Sequence, residues 1–133
     1  MTKYNKNAML YFMLNSATRT RANYWMYLLE LEGGYFYVGI TSRSDPQIRI
    51  QEHFSEKGAT WTRRHKPLQL LSLRPLGFMT KDEAEDIEEK ATLKFMYIYG
   101  YNNVRGGSLS FSGNYVKFHD KYLQTNLPVS HWV

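Results

Sequence analysis

Apolar and polar residues alternate early in this chain in two runs, Tyr24 to Leu31 and Tyr35 to Thr41, separated by Glu32-Gly33-Gly34. Aromatic and branched side chains on either side of a glycine-containing break predict a β-hairpin. The loop length decides which side chains share a face. Strand side chains alternate, so a two-residue Gly-Gly turn would put Tyr27 and Tyr37 on opposite faces. A three-residue Glu-Gly-Gly loop pairs Leu31 with Tyr35 and Tyr27 with Gly39, and both tyrosines then point the same way. Three-residue hairpins need glycine in the left-handed position, which Gly33 or Gly34 supplies, so this loop is the expected one.

The period then changes. Asp45-Pro46 is an N-cap followed by proline at the first helical position, and it predicts a helix running through about Lys57 and halting at Gly58. On it Ile50 and Phe54 form one stripe and Arg49, His53 and Lys57 another. The apolar stripe is expected to pack inward and the basic one to face the hairpin. Residues 58–67 read as an irregular polar stretch, and Leu68 to Arg74 as a third strand. Thr80-Lys81-Asp82-Glu83 is a capping box opening a second helix, whose apolar period Ala84, Ile87, Ala91, Phe95, Ile98 lasts to Gly100. Glu88 lies beside that stripe rather than on the far solvent face. Tyr101 to Gly107 reads as a tight polar turn, and 108–133 has no pattern that assigns it. Ahead of the hairpin, Ala8 to Leu14 is expected to be a buried N-terminal helix. Lys3, Lys6 and Asn15-Ser16-Ala17 lend it some likeness to a signal peptide, but the run is short and holds two aromatics.

Composition narrows the function. A chain of 133 residues is most simply one domain, 1–133, with one core. No apolar run approaches a membrane span and the mean hydropathy is −0.53, so an intracellular protein, cytoplasmic or DNA-associated, is expected. The absence of cysteine excludes disulfides, thiolate zinc sites and a cysteine nucleophile. Lys and Arg outnumber Asp and Glu by 17 to 12, which points to an anionic partner, nucleic acid first. The 11 tyrosines could stack on bases, although building strands and interior is the simpler role for most. Arg63-Arg64-His65-Lys66 reads either as a line of phosphate contacts or as a solvated loop.

Taken in order, Trp25-Met26-Tyr27, Tyr37-Val38-Gly39, Arg49-x-x-x-His53, Gly58-Ala59-x-Trp61-Thr62, Glu88 and Asn103 resemble the GIY-YIG nuclease superfamily over residues 24–107. The first motif keeps only its tyrosine, whereas the second is nearly intact. The resemblance implies an α/β fold, a small three-stranded antiparallel sheet flanked by helices, with 1–23 and 108–133 as extensions. It also implies an endonuclease that hydrolyses DNA phosphodiester bonds with a divalent metal, Mg²⁺ or Mn²⁺. The alternatives are a nucleic-acid-binding module on the same fold without hydrolysis, or a protein-interaction domain.

By family position Glu88 is the metal ligand, and Tyr37 with Tyr27 handles the attacking water. An unperturbed phenol, with a pKa of about 10, is a poor base, so it would need the help of Arg49 or the metal. His53 or Lys57 could instead take the proton, leaving the tyrosines to orient water. Arg49 would bind the scissile phosphate, His53 would donate to it or relay a proton, and Asn103 would brace the site. Asn102, next to Asn103, competes for that place. Lys57, Arg63, Arg64, His65 and Arg105 are the expected substrate contacts, with Lys57 and His65 competing for one family position. Monomer and homodimer both fit, because a lone site cuts one strand and double-strand cleavage implies two binding events or a dimer.

Overall fold

The computed structural model describes residues 20–107 and Leu109. The expected N-terminal helix at Ala8 to Leu14 and the segment after Leu109 lie outside the described residues. Strands β1 (Arg21–Leu31) and β2 (Tyr35–Thr41) form the hairpin, joined by the three-residue loop. Its register pairs Leu31 with Tyr35 and Tyr27 with Gly39, as expected. Both loop glycines have positive φ, 85° at Gly33 and 84° at Gly34, where a side chain would be strained.

After β2 the chain forms α1 (Pro46–Phe54), α2 (Thr60–Arg64), β3 (Pro67–Thr80), α3 (Lys81–Tyr99) and β4 (Val104–Gly106). The sheet order is β3-β1-β2-β4, with β3 antiparallel to β1 and β4 parallel to β2. The sheet is therefore four-stranded and mixed, not the three-stranded antiparallel sheet expected. The polar turn assigned to Tyr101 to Gly107 contains the fourth strand, and three residues are too few to show an alternation. β3 is also twice the expected length. It is an edge strand, so it tolerates Pro67 at its start and Pro75 at a register shift against Trp25.

Helices cover both faces of the sheet. Met26, Leu28 and Val38 pack with Ala91, Phe95 and Met96 of α3 on one face. Tyr27, Leu29, Leu31 and Tyr37 pack with Ile50 of α1 and Trp61 of α2 on the other. A central strand buried on both sides reads as a nearly continuous apolar run, and residues 26–29 are all buried.

Two helix details differ from the sequence reading. Asp45 caps α1 through the Gln47 N–H at 3.0 Å as expected, but the helix ends at Phe54. Glu56 turns into the left-handed region at φ 67°. Lys57 thus falls off the Arg49 and His53 stripe. The buried positions are Pro46, Ile50 and His53, and Phe54 faces outward at 45 % exposure. The core contacts follow a stripe that includes the histidine. The stretch 58–67, expected to be irregular, holds the single helical turn and a half of α2. The Thr80 capping box with Glu83 is present at the start of α3. Among the described residues no helix is long and apolar enough to cross a membrane.

Candidate active site

The hairpin register places Tyr27 and Tyr37 on the α1 face, with ring centroids 6.4 Å apart. Against them α1 sets His53, whose ring centroid lies 5.5 Å from Tyr27 and 4.9 Å from Tyr37. Glycines make the approach possible. A Cβ at Gly39 would collide with the Tyr27 phenol, and one at Gly58 with the His53 ring.

A short hydrogen-bond chain fixes the histidine's tautomer. The Thr62 hydroxyl donates to the Ala59 carbonyl at 2.9 Å, so it can only accept from His53 Nδ1 at 3.0 Å. The Nδ1 therefore carries the proton. Complete burial lowers the His53 pKa to about 4, with the Arg49 charge acting the same way, so the ring is neutral at physiological pH. Its Nε2 lone pair then accepts from the Tyr27 hydroxyl at 2.7 Å. Burial and the neighbouring Tyr37 push the Tyr27 phenol far above its ordinary pKa, so it stays protonated. Burial, reinforced by the Glu88 charge, pushes Tyr37 up to about 12. The two phenols differ in role: Tyr27 has its proton committed to His53, whereas among the described residues the Tyr37 hydroxyl has no hydrogen-bond partner.

Arg49 lies at the mouth of this cluster, and its charge lowers the pKa of both phenols against the effect of burial. Its guanidinium also bonds Glu52 at 3.0 Å, and the other Glu52 oxygen bonds Arg43 at 2.9 Å.

Glu88 comes from the opposite face of the sheet. The Phe36 N–H points toward β4, donating to the Asn103 carbonyl at 2.8 Å, and alternation turns the Ile40 N–H to the same edge. β4 covers this edge only from Phe36 to Val38, and beyond its end the Ile40 N–H donates to the Glu88 carboxylate. The gap left by a three-residue strand lets a side chain of α3 reach the open edge of β2. Gly107 completes the opening, because a Cβ there would strike Glu88 Oε1. Only 4 % exposed, the carboxyl has its pKa raised to about 7 by burial and then by Glu85.

Among the described residues no three His, Cys, Asp or Glu side chains gather as a cage for an ion. Glu88 alone still suits a hard divalent cation that keeps most of its waters and takes one or two protein carboxylates. Among the described residues no cation offsets the buried Glu88 charge, and such a carboxylate is the donor that an ion of this kind would neutralise.

The structure does not bring the other expected residues to this cluster. Asn103 caps the far end of α3, its amide donating to the Tyr99 carbonyl at 2.8 Å, while Tyr99 stacks on Phe36 at 4.1 Å. Tyr99 stands eleven residues beyond Glu88, roughly 16 Å along the helix, so the Asn103 side chain ties down the end of α3 distant from Glu88. Arg105 is buried, bonding the carbonyls of Tyr101 and Val104 at 2.9 and 2.8 Å, with its guanidinium over the Trp61 ring. In this arrangement the arginine expected to contact substrate is engaged within the core. His65 stacks on Tyr35 at 3.8 Å beside Trp61, and Lys57, Arg63 and Arg64 are exposed. Sequence reasoning missed Thr62, which sets the histidine tautomer, although its place in the Gly58-Ala59-x-Trp61-Thr62 stretch pointed to it. It also missed Arg43 and Glu52, for which no motif gave a signal.

Residues 23–102 match the family model of the GIY-YIG catalytic domain. The chain belongs to the GIY-YIG family. It is 46 % identical over 61 residues to a UPF0213 protein of Cupriavidus necator, covering 46 % of this chain and 62 % of that protein. To a UPF0213 protein of Streptococcus pneumoniae it is 39 % identical over 64 residues, covering 48 % and 61 %. The chain thus spans about three fifths of the length of these relatives. No solved structure matches it. The family is one of nucleases.

Proposed function

We propose that this GIY-YIG protein is a divalent-metal-dependent endonuclease that hydrolyses DNA phosphodiester bonds. The observation that carries this reading is the buried Glu88 carboxyl at the edge of β2 left open beyond β4, where it takes the Ile40 N–H and its charge is felt by Tyr27 and Tyr37.

Glu88 is the residue that would hold a Mg²⁺ or Mn²⁺ ion. When bound, the ion supplies positive charge for the phosphate oxygens and the leaving group. The remaining work belongs to the chain. Arg49 binds the scissile phosphate through its planar guanidinium and stabilises the charge that builds on it. Tyr37, with its hydroxyl uncommitted, positions the attacking water. Its high pKa makes it a poor base unless cations lower it. Tyr27 is held by His53 so that its oxygen lone pairs, not its proton, face the water. The neutral His53 is the nearest proton sink: a proton passed from water to the Tyr27 oxygen can be matched by transfer of the phenol's own proton to Nε2. Asn103 contributes by fixing the end of α3.

The test is cleavage of labelled single-stranded, duplex and branched DNA with Mg²⁺ or Mn²⁺, comparing wild type with Glu88→Gln. Cleavage that disappears in EDTA and in the variant, while binding persists, is the expected result. Binding without cutting by wild type on every substrate would instead identify a non-catalytic DNA-binding module.

A further inference from the structure

Outside the tyrosine cluster, a single carboxylate is shared between two arginines. Glu52 of α1 presents Oε2 to Arg43 Nη1 at 2.9 Å and Oε1 to Arg49 Nη1 at 3.0 Å. Arg43 stands in the loop between β2 and α1, its backbone N–H anchored on Thr41 Oγ1 at 3.2 Å. All three side chains are partly exposed, at 45 %, 30 % and 26 % for Arg43, Arg49 and Glu52. A nucleic-acid strand entering from solvent therefore meets this trio before it meets the tyrosines.

Carboxylate and phosphodiester present the same pair of oxygens to a guanidinium. A carboxylate placed one oxygen per arginine marks a position where an anion fits between the two cations. We infer that Arg43 and Arg49 form a two-arginine phosphate clamp, that Glu52 occupies it in the free protein, and that the DNA backbone displaces Glu52 on binding. Arg43 is then a substrate-binding residue that the family pattern does not supply. The exchange is favourable because exposed ion pairs are weakly held, whereas phosphate contact also releases condensed counterions from DNA. The inference rests on the nuclease reading for its substrate, but its test does not depend on cleavage.

The experiment is fluorescence anisotropy of labelled single-stranded and duplex oligonucleotides in EDTA, over a range of salt, with full-length wild type, Arg43→Ala, Glu52→Gln and the double variant. Thermal melts establish that each is folded. Arg43→Ala is expected to weaken binding about fivefold and to reduce the magnitude of the salt slope by just under one. Glu52→Gln is expected to tighten binding about fivefold, and most of that gain should vanish when Arg43 is also alanine. A purely structural Glu52 would lower the melting temperature and leave affinity unchanged or weaker, which overturns the clamp. An unchanged salt slope in Arg43→Ala overturns it as well. DNA binding with this pattern but no cutting by wild type in Mg²⁺ would sink the nuclease reading and leave the clamp standing. Absence of DNA binding altogether would sink both.

Discussion

The histidine at the centre of this site is held neutral by its surroundings, and the carboxyl across from it is held partly protonated. These opposite shifts give a signed prediction. Glu88, raised to about 7, binds a proton in the folded state between its unfolded pKa near 4.5 and 7, so its contribution to stability is present at low pH and lost as pH rises through 7. His53, lowered to about 4, is protonated only in the unfolded state between 4 and 6.5, so its contribution is present above 6.5 and lost as pH falls through 4. In EDTA, the stability of wild type minus that of Glu88→Gln should therefore decline from pH 4.5 to 7, by about 1 kcal/mol per pH unit. Urea unfolding at closely spaced pH values measures this, and a flat difference would mean that the Glu88 carboxyl is not desolvated. The shared face of Tyr27 and Tyr37 was legible beforehand because alternation and loop parity leave only two arrangements. The burial of His53 was not, since a basic stripe at helical spacing on a nine-residue helix looks the same whether it faces solvent or core.

At the scale of elements, the site depends on β4 being short. Three residues pair with β2, and the next edge N–H is left to Glu88. Such an element carries no periodic signal, which is why residues 101–107 read as a turn. The long, capped α3 and the hairpin were legible because each spans several periods and ends in turn or cap residues. α1 was read too long for a related reason: Ser55-Glu56-Lys57 contains no helix breaker, and the stop comes from the left-handed Glu56. Gly107→Ala tests the role of the β4 end directly. The new methyl would meet the Glu88 carboxylate, at a backbone φ of 51° that costs a side chain about 1 kcal/mol. DNA cleavage should fall at least tenfold, and melting should show only a modest loss of stability. Full activity in this variant would show that Glu88 need not occupy the gap in the sheet.

On the scale of the whole molecule, helices on both faces deliver groups to one cluster from separate elements: the hairpin gives the tyrosines, α1 gives Arg49 and His53, and α3 gives Glu88. The net charge of +5 favours approach to any nucleic acid, but the cations near the cluster are those that set where a strand lies. Among the described residues there is one such cluster per chain, with one carboxylate suited to an ion. One binding event should therefore break one strand. On supercoiled circular DNA, the nicked circle should accumulate before linear product, with its initial rate proportional to protein concentration. Linear product formed directly, with a rate rising as the square of concentration, would show two copies cutting in concert. The two outcomes separate on an agarose gel, and the Arg43→Ala variant should slow nicking most at low salt, where counterion release makes each phosphate contact worth most, with the gap to wild type narrowing as salt rises.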